Sequence, residues 1–122
     1  MKIRIKSNSI RYRLTRSAIK KLALTGYLDD KVSFGKQSLI YAIRLTDDKE
    51  LSSTFVDHTI TLLMPKGMIN ELINTNRVGF ENDAGPLHIL VEKDFACLDN
   101  VNEDQSDNYP NPLADKNYEE GD

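Results

Sequence analysis

Hydrophobic and polar positions alternate with period two from the first residues of the chain. In Lys2-Ile3-Arg4-Ile5-Lys6 the bases share one face and the isoleucines the other, and Ile10-Arg11-Tyr12-Arg13-Leu14 repeats the pattern. Both stretches read as half-buried strands. A two-residue turn at Asn8-Ser9 sets Lys6 opposite Arg11 and Ile5 opposite Tyr12, which keeps like faces together. The period then changes. Thr15 suits an N-cap, Ala18, Ile19, Leu22 and Ala23 form a helical stripe, and Gly26 suits the left-handed residue that ends a helix, predicting a helix over about 16–25.

Alternation resumes in Lys31–Phe34 and Gln37–Leu45, around a turn at Gly35-Lys36. Leu51–Val56 and Thr59–Met64 form a further hairpin, in which a turn at Asp57-His58 aligns Phe55 with Ile60 and Ser53 with Leu62. Pro65 opens a second helix, about 66–75, with Met68, Ile69, Leu72 and Ile73 on one side. Val78–Glu81 and Leu87–Glu92 complete the regular elements. Seven or eight short strands joined mostly by tight loops, with two short helices, predict an α+β fold on a mainly antiparallel sheet, with partial closure into a barrel as one arrangement. No period of 20–50 residues suggests a solenoid.

Composition divides the chain. Residues 98–122 carry eight acids and one base, net -7, with few apolar side chains, so they are expected to form an acidic, largely disordered tail. Residues 1–97, expected to be a single folded domain, carry 15 bases and 11 acids, net +4. The overall charge of -3 hides this polarity. No apolar run approaches the roughly 20 residues of a membrane span. The basic opening stretch lacks the apolar core of a secretory signal, and the single cysteine, Cys97, cannot form an internal disulfide. A cytoplasmic protein is the expectation.

The sharpest chemical feature is the cationic face of the first hairpin: Lys2, Arg4, Lys6, Arg11 and Arg13. Like charges across a strand pair repel, and no acid stands nearby in sequence. An acidic partner is therefore expected: an acidic protein segment, from the chain's own tail or a second subunit, or a polyanion. DNA is an admissible but less favoured polyanion, because the acidic tail would compete for the same face, and the oligomeric state is open. The bland alternative is a solvated edge whose bases discourage aggregation. His58 and His88 lack a second imidazole or carboxylate at ligand spacing and read as surface residues. Glu92 and Asp94, two apart, could hold a cation with Asp99, but read better as solvated charges. Cys97 has acids rather than bases beside it, which suits a structural thiol. Tyr109-Pro110-Asn111-Pro112 reads as an extended linker or a docking element. No phosphate-cradling glycine loop, serine elbow or HExxH pattern occurs, so no catalytic residue, metal ligand or cofactor is assigned.

Three resemblances bear on these expectations. MKIRIKSNSIRYRLTR at 1–16, TGYLDDKVSFG at 25–35, VEKDFACL at 91–98 and YPNP at 109–112 together resemble a small family of uncharacterised bacterial proteins, a domain of unknown function. That resemblance implies a stand-alone cytoplasmic protein and carries no activity. Residues 1–34, through Asn8-Ser9-Ile10-Arg11, Arg13-Leu14, a short helix and Asp30-Lys31-Val32, are similar to the swapped-hairpin DNA-binding domains of antitoxins and transition-state regulators. Those proteins present arginines on paired strands from an intertwined dimer, which implies phosphate or base contacts for Arg4, Lys6, Arg11 and Arg13. The chain departs from them at Ser7, where glycine is usual, and in a further stretch of structured sequence. A barrel with inward bases would resemble the triphosphate-tunnel hydrolases, but Lys2, Arg4 and Lys6 stand where those enzymes carry metal-binding glutamates. The leading expectation is a small non-enzymatic binding module, ahead of a swapped-hairpin DNA-binding regulator and a phosphate-handling hydrolase.

Overall fold

The computed structural model describes residues 1–95. It is α+β, with eight strands and two helices in the order β1 (Lys2–Lys6), β2 (Ser9–Leu14), α1 (Arg16–Thr25), β3 (Tyr27–Ser33), β4 (Ser38–Thr46), β5 (Ser52–Val56), β6 (Thr59–Pro65), α2 (Lys66–Asn74), β7 (Gly79–Asn82) and β8 (His88–Lys93). The expected boundary of the folded part at 97 and the tail from 98 lie outside the described residues.

That order is one unit written twice: hairpin, helix, hairpin. The two units interleave. One sheet runs β1-β2-β8-β7 and the other β3-β4-β6-β5, so each takes the first hairpin of one unit and the second hairpin of the other. The central pairs, β2 with β8 and β4 with β6, are parallel, and all other pairs are antiparallel. The backbone repeats the relation in detail. The His88 N–H donates to the Asn8 carbonyl at 3.0 Å, as the Ile40 N–H does to the His58 carbonyl at 2.9 Å. Likewise, the Leu45 N–H donates to Gly26 at 3.0 Å and the Lys93 N–H to Val78 at 2.8 Å, each tying the last strand of a unit to the exit of its helix. Buried residues match across the units at a spacing of about 50: Tyr12 with Leu62, Leu14 with Met64, Ile19 with Ile69 and Leu22 with Leu72. The repeat is one of architecture, with little identity of sequence, which is why no period was visible.

The two sheets do not close into a barrel. Both bury their inner faces, with α1 and α2, in a single core containing Tyr12 and Val91 from one sheet, Ile43 and Leu62 from the other, and Ile19, Leu22, Ile69 and Leu72 from the helices. Burying faces rather than joining edges leaves β1, β7, β3 and β5 as edge strands, and on β1 the charged Lys2, Arg4 and Lys6 resist further pairing.

Helix α1 follows the local code. The Thr15 side chain accepts from the Ala18 N–H, and Gly26, at φ 77°, ends the helix with its N–H on the Leu22 carbonyl. The first hairpin departs from the expected register. Its turn is Ser7-Asn8, pairing Lys6 with Ser9, Arg4 with Arg11 and Lys2 with Arg13. Ser7 takes a positive φ of 50°, and Asn8 is held by β8 and its approach: its amide donates to the Pro86 carbonyl and its own carbonyl accepts from His88. The pairing moves by two residues, so both faces survive while the partners change. The β5-β6 hairpin has its expected register, with Phe55 opposite Ile60 and Ser53 opposite Leu62.

Candidate anion-binding face of the first hairpin

Lys2, Arg4, Lys6, Arg11 and Arg13 all lie on the outer face of the β1-β2-β8-β7 sheet, because alternation sends Ile10, Tyr12 and Leu14 inward. Cross-strand register orders that face into rows. One runs Lys2, Arg13, Glu92, Gly79; the next runs Arg4, Arg11, Leu90, Glu81; a third has Lys6, Ser9 and His88. Charge therefore changes sign across the sheet, from cations on β1 and β2 to carboxylates on β7 and β8.

No acid stands near these cations in sequence, and part of the acidic answer comes from a strand distant in sequence. Parallel pairing sets Glu92 beside Arg13, where its carboxylate lies 3.6 Å from the Arg13 Nε and 3.8 Å from the Arg11 Nε. Asp94, just beyond β8, lies 3.1 Å from the Lys2 Nζ. The two carboxylates read from sequence as solvated charges are thus ion-pair partners, brought in from about 80 to 90 residues away by a strand pairing that no local pattern announces. They answer one end of the hairpin. Arg4 and Lys6 form no ion pair among the described residues.

The corresponding hairpin of the second unit has no such face. Its strands read SSTFV and TITLLMP, without a base. The isoleucines of β1 are also less sheltered than alternation suggests: Ile3 is half-buried, and Ile5 is exposed in an apolar groove with Phe55 and Ile60, between the tips of the two hairpins.

His58 sits in an exposed turn at φ 62°, as a surface residue should. His88 lies on the outer face as its alternation implies, with carboxylates for neighbours. Its Nε2 lies 2.9 Å from the Glu81 Oε2, a diagonal pair across the β7-β8 hairpin, and Asp83 offers a third ligand atom, all within 4.8 Å of one another. Imidazole with two carboxylates is chemistry suited to a borderline divalent cation, although the pair also satisfies itself. The spacing of seven between Glu81 and His88 was the available signal, readable once the hairpin is known. Cys97 and Asp99 lie outside the described residues.

The bases point outward and line no interior cavity, so the geometry on which a resemblance to tunnel hydrolases depends is absent from the described residues. Among those residues no helix is long and apolar enough to cross a membrane. Neither a curated protein nor a solved structure matches the chain. A family pattern does, over residues 1–113, which takes in both hairpin-helix-hairpin units and continues past β8. The chain belongs to a family of unknown function (DUF7009).

Proposed function

We propose that the protein is a non-enzymatic binding module whose β1-β2 outer face takes an acidic partner, either a polyanion or an acidic protein segment. The observation that carries this reading is the uneven neutralisation of the face. Glu92 and Asp94 answer Lys2, Arg11 and Arg13, while Arg4 and Lys6, on an edge strand, have no ion pair among the described residues. An incoming anion meets exposed cations there without displacing an internal carboxylate. The chain's own acidic tail, in cis or from a second copy, is the simplest such partner, and it competes with any added polyanion for the same surface. Heparin titration of the full-length protein at several salt concentrations tests the reading. Removing both charges with Arg4→Ala and Lys6→Ala is expected to weaken binding at least tenfold at low salt and to flatten the slope of log affinity on log salt by roughly 0.7–0.9 per lost contact. Truncation after Leu98 is expected to strengthen binding. Unchanged affinity in the double variant overturns the reading.

A second reading, the swapped-hairpin DNA-binding regulator, gains support from the interleaved architecture. The second unit supplies, within one chain, the partner that such domains obtain from another copy, so a monomer is compatible with this class. The one-sided charge favours the asymmetric partner over a symmetric DNA site, since the positions equivalent to Lys2, Arg4, Lys6, Arg11 and Arg13 in the second unit are Ser52, Thr54, Val56, Thr61 and Leu63. Preference for a specific duplex over heparin of equal charge would reverse that order.

A further inference from the structure

The turn end of the β7-β8 hairpin gathers three metal-ligating side chains on the outer face of its sheet. Glu81 and Asp83 are two residues apart and so face the same way, and the register that sets Asn82 against Ile89 continues to set Asp83 against His88. One ligand atom from each lies within 4.8 Å of the others. What separates this cluster from an ordinary acidic patch is the imidazole inside it, half-buried, with its Nε2 2.9 Å from the Glu81 Oε2.

We propose that Glu81, Asp83 and His88 bind a borderline divalent cation of the zinc class, through the imidazole Nε2 and one oxygen of each carboxylate. Geometry is the first argument. Ligand atoms around a tetrahedral zinc, each at about 2.0–2.1 Å from the metal, stand roughly 3.3 Å apart, so the His88–Glu81 pair opens slightly and Asp83 closes, changes within reach of side-chain rotation. Preorganisation is the second. The Asn82 amide donates to the Leu51 carbonyl at 2.9 Å, the Ala84 N–H to the Asn82 Oδ1 at 3.0 Å and the His88 N–H to the Asn8 carbonyl at 3.0 Å. The backbone that carries the ligands is therefore already held, and binding has little order to create. The repeated architecture supplies the third argument. By the same register, the matching positions of the β3-β4 hairpin are Asp29, Lys31 and Ile40, so the fold itself does not require this cluster. Two carboxylates with a neutral imidazole complement a dication, and no Lys or Arg pairs with Glu81 or Asp83 among the described residues. The imidazole selects zinc-class ions over magnesium and calcium, which take oxygen ligands. Three protein ligands leave a fourth position to water or an anionic group.

Calorimetric titration of the full-length protein with zinc chloride in a non-chelating buffer tests this. Zinc is expected to bind, and magnesium to compete poorly. His88→Gln and Asp83→Asn, at positions that reach solvent, should each weaken zinc binding at least tenfold while circular dichroism stays unchanged, whereas His58→Gln should leave it alone. X-ray absorption of the zinc-loaded protein should show an imidazole among the neighbours of the metal, and His88→Gln should remove it. Absence of binding at millimolar zinc overturns the proposal, as does affinity that survives His88→Gln or falls with His58→Gln. The titration involves metal and no polyanion, so the outer-face reading can fail while this one stands, and the reverse.

Discussion

Tyr12 has no accessible surface, and its hydroxyl has no hydrogen-bond partner among the described residues. Alternation along β2 places the ring inside, where it adds a large apolar surface to the core, but the phenol oxygen loses water without replacement. The equivalent position of the second unit is Leu62, equally buried and without a hydroxyl. Tyr12→Phe is therefore expected to raise stability by about 1 kcal/mol in urea unfolding near neutral pH. Burial also raises the Tyr12 pKa well above its ordinary value of 10.0. The neutral form is favoured in the folded state, so stability from this residue is complete below pH 10 and declines above it, as the unfolded tyrosine ionises and the folded one does not. The decline is about 1.4 kcal/mol per pH unit until the native phenol itself titrates. Tyr27 and Tyr41 are raised as well, so the comparison of Tyr12→Phe with the parent at pH 8 and pH 11 isolates Tyr12. The variant should lose less stability over that interval.

Among the elements, α1 was the most legible, because its cap, stripe and terminating glycine are all local signals acting within one or two turns. Strand β3 was the least. Its first four residues, Tyr27-Leu28-Asp29-Asp30, are too polar to read as a strand, and only pairing with Tyr41–Arg44 makes them one. Strand β7 shows a different dependence on its neighbour. A side chain at Gly79 would meet the Val91 carbonyl and come within 2.9 Å of the Glu92 Cα, so the strand can approach β8 this closely only with glycine there. The matching position of the first unit, opposite Arg44, is Tyr27, which shows that the constraint belongs to this pairing and not to the repeated architecture. Gly79→Ala is expected to cost about 1–3 kcal/mol through displaced backbone, measured by thermal unfolding. The same change at Gly67, an open helical position, should be neutral or slightly stabilising.

At the scale of the whole molecule, interleaving means that neither unit owns a sheet. Removing either second hairpin exposes the central strand of the other unit's first hairpin and strips the shared core. Unfolding is expected to be a single cooperative transition. Near-ultraviolet and far-ultraviolet circular dichroism should give coincident urea midpoints, and a probe in β5-β6 should report the same midpoint as one in β1-β2. Separate midpoints for the two units would contradict the shared core. The candidate face depends on the same interleaving. Its five cations were readable as a period-two stripe, but Glu92 and Asp94 join them only because β8 of the second unit pairs with β2 of the first. The proximity of His88 to Glu81 likewise follows from the β7-β8 hairpin.

What the amino-acid sequence determined by itself is what short-range physics controls: period-two alternation and its inward and outward faces, the caps of α1, the turn at Asp57-His58, the α+β class and the uneven placement of charge. These depend on residues within a few positions of one another. The tertiary structure alone decided which strands lie side by side, hence the doubled, interleaved architecture, the open sheets in place of a barrel, and the division of the basic face into a neutralised end and one without an ion pair among the described residues. Strand partnership is set by burial of whole faces in a common core. That energy is shared among residues up to about 80 positions apart, so no local pattern of either partner records it.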